Sequence, residues 1–191
     1  DEQNLLNESL QRVIEKDYTF EVREGLRRSD TGFGVDNWQQ FADLGWLAVA
    51  IPETYGGLDG AMVEQTLVCE QFGRAMVLEP YVSTTVMAAA AIVRSDDEAT
   101  KASALLGIAE GRKRFALAYS ERNARYDLHH VESTATKSGS EYRIRGEKIA
   151  VLDLPSADSI VVAARLSGGA RDADGVGLFL VEAAANGLGA K

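Results

Sequence analysis

Leu5, Leu6, Leu10, Val13 and Ile14 recur at helical spacing, so residues 2–16 are expected to form an amphipathic helix. Phe20 to Arg28 reads as a short charged helix that Asp30-Thr31-Gly32 breaks. Trp38, Phe41, Ala42 and Leu44 give the apolar stripe of a third helix, with Asp36 as its expected N-cap and Gly45 as its closing glycine. Ile51-Pro52-Glu53-Thr54-Tyr55-Gly56-Gly57 is a loop of defined shape, because proline removes a donor and paired glycines permit unusual φ. Ala61 to Phe72 predicts a buried helix that Gly73 ends or loosens. Pro80 starts a further one, Val82 to Val93, and Asp96-Asp97 opens another that runs to about Ala109 and stops at Gly111.

After Arg112 the period changes from helical to two. Phe115, Leu117 and Tyr119 alternate with smaller residues as in a half-buried strand. Val131 to Thr136 and Glu141 to Arg145 flank Ser138-Gly139-Ser140, which predicts a hairpin. Lys148 to Leu152 extends or follows it. Ser159 to Arg165 is a continuous apolar run, Gly168 to Gly175 a charged turn, and Val176 to Val181 the strand that pairs with the run before it. The pattern therefore gives an α+β chain with two adjoining modules, an all-α domain over residues 1–111 and a β domain over 112–191, without βαβ alternation.

Composition narrows the function classes. The 191 residues carry 20 basic and 29 acidic side chains, a net charge of −9, and are 46% hydrophobic. That supports a real core and argues against nucleic acid as a partner, since no basic stripe is present and Arg23, Arg27 and Arg28 sit among acids. No signal peptide opens the chain and no apolar run reaches spanning length, so a cytoplasmic protein without membrane insertion is expected. Both ends, Asp1 and Lys191, look abrupt and suggest a fragment.

Little in the residue chemistry taken alone points to catalysis. Cys69, the single cysteine, lies in an apolar stretch and reads as a structural thiol. His129 and His130 are neighbours, which on a strand face opposite ways, so a surface pair at the start of a strand is expected and no metal site. Gly168-Gly169 lacks the strand and helix that a dinucleotide fingerprint needs. Glu53 and Glu121 are the most interesting acids. Either becomes a general base if desolvated, and a solvated or capping role is the alternative for each.

Five segments taken in order resemble the acyl-CoA dehydrogenase family. They are Leu44-Gly45-Trp46-Leu47 with Ile51 to Gly57 ("LG…PExYGG"), Glu70-Gln71-Phe72-Gly73-Arg74 ("EELGR"), Tyr119 to Asp127 ("LTEPxAGSD"), Tyr142 to Lys148 ("YxLNGxK") and Ala157-Asp158 to Arg165 ("ADxxxVxAR"). The resemblance implies an all-α amino-terminal domain, an antiparallel barrel- or sandwich-like middle β domain that is incomplete here, and a carboxy-terminal four-helix domain absent from this chain. It implies α,β-dehydrogenation of an acyl-CoA thioester, in which a base takes the α-proton and FAD takes the β-hydride, with an electron-transfer flavoprotein as acceptor. The base belongs to the absent domain, so no catalytic residue is assigned here.

By resemblance the cofactor-binding positions are Tyr119, Ser120, Arg125, Tyr126, Ala150 and Leu152, and these are also where the chain departs from the family. Arg125 and Tyr126 replace a glycine and a serine, Arg122 replaces a proline, and Ala150 and Leu152 replace a tryptophan and a threonine; Ser120 alone keeps a hydroxyl. The variant Glu121 to Leu128 is similar to the small subunit of pimeloyl-CoA dehydrogenase-type heteromers. The expectation is a subunit paired with a homologous dehydrogenase chain. The alternatives are a non-catalytic structural subunit with a degraded flavin site, and a flavin monooxygenase or oxidase on the same fold.

Overall fold

The stripe Leu6, Leu10, Val13 and Ile14 makes α1 (Glu2–Asp17) a helix with one apolar face, and that face packs on α4 (Met62–Ala75) through Val68 and Phe72. The computed structural model describes residues 2–139 and 141–190, and the chain divides into two units, Asp1–Arg114 and Phe115–Lys191.

The first unit is helical. Thr19 caps α2 (Phe20–Arg27) by accepting from the Val22 N–H, and Glu24 gathers the three arginines of this stretch, Arg23, Arg27 and Arg28. In α3 (Val35–Asp43) the cap is Gly34, not Asp36, which is the second residue of the helix, within its first turn. Trp38 and Phe41 are buried as the stripe predicts, whereas Leu44 falls past the helix end and is exposed. Gly45 closes the helix at φ 77°. Phe41, Trp46, Phe72 and Tyr81 form an aromatic cluster with centroids 4.7–6.0 Å apart. Around it, buried Glu79 accepts from Tyr18 Oη, the Gly34 N–H and Asn37 Nδ2, and Trp38 Nε1 donates to Gly111 O at 3.0 Å.

Helix α4 runs through Gly73 to Ala75 and ends on Met76 at φ 52°. It is buried on one face alone, since Met62 and Val63 are exposed. The next stretch is a π-helix over Val82–Ala88 that passes into α5 (Ala89–Val93). There the Thr85 and Ser83 hydroxyls bond back to Tyr81 O and Pro80 O, a self-bonding habit that loosens an α-helical ladder. Asp97 caps α6 (Glu98–Ala109) through the Thr100 N–H. Cys69 is half-buried beside the core, and burial pushes its thiol pKa up, as a structural thiol requires. Among the described residues no helix is long and apolar enough to cross a membrane.

The second unit is one mixed sheet around β4 (Ser159–Arg165), all seven of whose residues are buried. β5 (Val176–Glu182) pairs antiparallel along its whole length. On its other edge β1 (Phe115–Ala118) runs parallel to Ser159–Val162, and β2 (Thr134–Ser138) touches it, again parallel, at Arg165. β2 and β3 (Glu141–Arg145) form the expected hairpin, with Ser138 opposite Glu141; Ser140 of the expected turn lies outside the described residues. The antiparallel expectation thus holds for two pairings and gives way to parallel ones for two. Tyr119 falls outside β1, β2 starts at Thr134 and not Val131, and Lys148–Leu152 is not a strand. The first two of these differences have one cause, a long excursion between β1 and β2 that returns to the same edge of β4.

Candidate functional site

The excursion begins at Tyr119 and rejoins the sheet at Thr134. Glu121 closes its neck. The buried carboxylate accepts from the Glu132 N–H at 2.6 Å and the Ser133 N–H at 3.0 Å, and pairs with Lys148 Nζ at 2.6 Å. Both side chains are out of solvent, at 4% and 8% exposure for Glu121 and Lys148. Burial alone would raise the Glu121 pKa. The Lys148 ammonium and the Ser133 and Glu132 donors more than offset that and bring it down to about 2. Glu121 is therefore a structural anion and not a general base. Glu53 is exposed, on the 3₁₀ turn of the Pro52 loop.

Lys148 belongs to the second segment of the site, residues 146–153. Gly146 opens it because a Cβ there would lie 2.2 Å from Ser133 Oγ. The Ile149 N–H donates to Ser120 O at 2.9 Å, so the segment runs beside the exit from β1. Arg122 and Glu147 face each other at 3.8 Å, both exposed. The two segments form a ledge joined at Ser120–Ile149 and bolted by Glu121–Lys148.

Of the six expected site residues, the ledge brings Ser120 together with the Ala150–Leu152 stretch. Ser120 is half-buried, and its hydroxyl has no hydrogen-bond partner among the described residues. Ala150 is held at φ 52° and Leu152 is half exposed. Tyr119 stands 40% exposed and Tyr126 is wholly exposed on the loop beyond the neck. Arg125 takes φ 51°, the left-handed region that favours the glycine it replaces in the family pattern. The loop is held from within by the Ala124 N–H on Glu121 O, the Asp127 N–H on Ala124 O and the His129 N–H on Asp127 Oδ1. The histidine pair splits: His129 is exposed, while His130 is buried with Nε2 against Glu132 Oε1 at 2.9 Å.

The sequence did not single out Lys148, Gly146 or Arg165 as site-building residues, although all three lie in the quoted motifs. Each role depends on at least one partner 13 to 36 positions away, which no local pattern exposes. Beside the ledge, on the sheet, lies a trough of about 530 Å³ lined by Ala118, Val151, Ile160, Val162 and Val181 together with Lys148.

The Glu121 anion makes stability acid-sensitive in a definite direction. Its folded pKa of about 2 lies below the ordinary 4.5, so its contribution is full above pH 4.5 and drains away as pH falls toward 2. Denaturant unfolding at pH 6 and pH 3 is expected to show wild type losing about 2 kcal/mol more than Glu121→Gln over that interval. Equal losses in the two proteins would remove this role from Glu121.

Comparison with known proteins agrees with this geometry. Residues 1–112 match the acyl-CoA dehydrogenase N-terminal domain and residues 116–191 the acyl-CoA dehydrogenase middle domain. Acyl-CoA dehydrogenase FadE12 of Mycobacterium tuberculosis is 33% identical over 134 residues, covering 67% of this chain and 33% of that protein. Mitochondrial isovaleryl-CoA dehydrogenase of Pongo abelii is 29% identical over 95% of this chain and 44% of its own length. Among solved structures, a variant of the Tcur3481–Tcur3483 steroid ACAD superposes with a TM-score of 0.85 at 27% identity, covering 97% of this chain and 49% of that one. The chain spans about a third to a half of the length of these relatives.

Proposed function

The chain belongs to the acyl-CoA dehydrogenase family, and from that premise we propose that it is a subunit of a heteromeric, FAD-dependent acyl-CoA dehydrogenase, working with a homologous dehydrogenase chain. The proposed reaction of the assembly is α,β-dehydrogenation of an acyl-CoA thioester, a step of lipid metabolism, in the cytoplasm. An electron-transfer flavoprotein is the proposed acceptor; one relative, 28% identical over 98% of this chain, is a caffeyl-CoA reductase-Etf complex subunit.

The observation that carries the heteromeric reading is the ledge itself. It is fully built, with its clamp buried and its neck closed, yet the side chains it presents are Arg125, Tyr126, Ala150 and Leu152. A flavin ring needs several donors along its polar edge, set in place before it binds. Ser120 is the one aliphatic hydroxyl among the six expected positions. The ledge does not supply the side-chain donors the family pattern has there, and no chemical step is assigned to it. A built but unequipped ledge fits a chain retained for assembly beside an equipped homologue.

Co-expression tests the pairing. Full-length chain and a homologous dehydrogenase subunit from the same source are expected to elute together in size-exclusion chromatography as a complex with equal numbers of each. Independent elution of two folded proteins would remove the heteromer.

A further inference from the structure

We propose that Asn186 is a site of spontaneous covalent modification, where ring closure with Gly187 converts the asparagine to a mixture of aspartate and isoaspartate and sets a new carboxylate on the wall of the trough. Nothing in this chemistry depends on the acyl-CoA reading.

Asn186 and Gly187 are the middle pair of a turn that follows β5. The Leu188 N–H closes it on Ala185 O at 3.2 Å. Gly187 takes φ 86° and Asn186 does not have positive φ, so the turn is of type II, whose third residue must tolerate the left-handed region as glycine does. That bond leaves the Gly187 N–H outside the turn. Among the described residues the Gly187 N–H has no acceptor and the Asn186 amide no hydrogen-bond partner. Both residues are exposed. Apart from its chain neighbours, no heavy atom lies within 4 Å of where a Gly187 Cβ would be. The nucleophile, the electrophile and the room to bring them together are all present on one turn.

The Gly187 nitrogen attacks Asn186 Cγ and forms an N–Cγ bond. The bond from Cγ to the side-chain nitrogen breaks, and ammonia leaves with the proton that the Gly187 nitrogen gives up. One water then opens the resulting cyclic imide. Attack at Cγ restores the main chain with an aspartate; attack at the main-chain carbonyl carbon routes the chain through Cγ as isoaspartate, longer by one methylene. Nothing is oxidised or reduced, and water is the sole co-reactant. Asparagine is a thermolabile residue in general, but the other four in this chain are differently placed, and none precedes a glycine. Asn4 and Asn7 lie in α1 and Asn37 in α3, where the helical ladder fixes the main-chain torsions. After Asn123, the Ala124 N–H is committed to Glu121 O. The side chains of Asn7, Asn37 and Asn123 are held by Gln71, Glu79 and Glu132. Asn186 and Gly187 line the trough with Lys148, Val151 and Val181. Either product therefore adds a negative charge to a largely apolar wall, and isoaspartate also alters the spacing that closes the turn on Leu188.

The test is a time course on the full-length chain, shown to be folded by circular dichroism and held at mildly alkaline pH, with tryptic digests read by mass spectrometry. The peptide 172–191 contains Asn186 as its single side-chain amide. Its amide form is expected to be lost with time, replaced by two chromatographic forms carrying the mass gain of deamidation, while the peptides holding Asn4, Asn7, Asn37 and Asn123 stay intact. Fragmentation is expected to place aspartate in one form and isoaspartate in the other at position 186, apart from any isomerisation of Asp174-Gly175 in the same peptide. Gly187→Ala, whose Cβ crowds the attacking nitrogen, is expected to preserve the amide over the same interval. Where that variant does not fold, Asn186→Gln takes its place, since its longer side chain closes the ring poorly, and its amide is expected to persist. Loss at Asn186 no faster than at the other asparagines overturns the proposal. Aspartate without isoaspartate, the product of direct hydrolysis, overturns the ring closure, and so does an unchanged rate in either variant.

Discussion

Arg165→Met is expected to cost about 3–5 kcal/mol of folding stability in denaturant unfolding, comparable to breaking a buried ion pair. The side chain is 5% exposed, and no carboxylate pairs with it among the described residues. Instead its charge is met by six main-chain carbonyls. Nε donates to Val131 O at 3.0 Å, Nη1 to Asp174 O at 2.9 Å and Ser167 O at 3.4 Å, and Nη2 to His129 O, Asp172 O and Ala170 O at 2.9–3.2 Å. A guanidinium can do this because its five donors spread in a plane. Methionine keeps the packing and removes every donor, so carbonyls of two chain segments lose the guanidinium, and of the six Ala170 O retains the Val131 N–H. Arg165→Lys should recover part of the loss, since three donors on one nitrogen reach fewer of the six. A loss below about 1 kcal/mol for methionine would mean the carbonyls find water or each other.

Gly57→Ala is expected to be comparably severe, at about 3 kcal/mol or more, and for a different reason. A Cβ there would lie 1.8 Å from Ile51 O and 2.2 Å from the Ile51 carbonyl carbon. Those are backbone atoms, and Ile51 O is already fixed by the Asp59 N–H at 3.0 Å. Neighbouring Gly56 has the left-handed φ of 82°, but a Cβ on it would meet the mobile end of Leu106. Gly73 is the control. It sits inside α4 with nothing within 4 Å of a Cβ, so Gly73→Ala should stabilise by roughly 0.5–1 kcal/mol. Thermal or denaturant unfolding of the two variants is expected to separate them widely; a mild Gly57→Ala would show that the loop can open at Ile51.

These two residues also mark what the sequence revealed and what it hid. The Pro52 to Gly57 motif was legible as a loop of fixed shape, because proline and paired glycines act locally. Helices with a clear apolar stripe, and the β-branched run that became β4, were legible for the same reason. The misplaced features depend on distant atoms. Asp36 looked like a cap, but Gly34 takes that place with its N–H on Glu79, 45 positions away. Gly73 looked like a helix end, but α4 continues because its buried face, through Phe72, is already committed to the core. The parallel pairings of β4 follow from the long excursion, and nothing in a period-two pattern states which edge a strand returns to. At the site, the motif placed Ser120, Ala150 and Leu152 on neighbouring segments. Residue chemistry taken alone offered Glu121 as a possible base, whereas three donors that converge on it make it an anchor.

On the reading proposed above, this chain serves an acyl-CoA dehydrogenase without being one alone. The most direct measurement is formation of 2,3-enoyl-CoA from saturated acyl-CoA thioesters with an artificial electron acceptor, by the full-length chain, by the homologous subunit, and by the two together. Product is expected from the assembled pair and none from this chain alone. Dehydrogenation by this chain alone, at the rate of the pair, would contradict it.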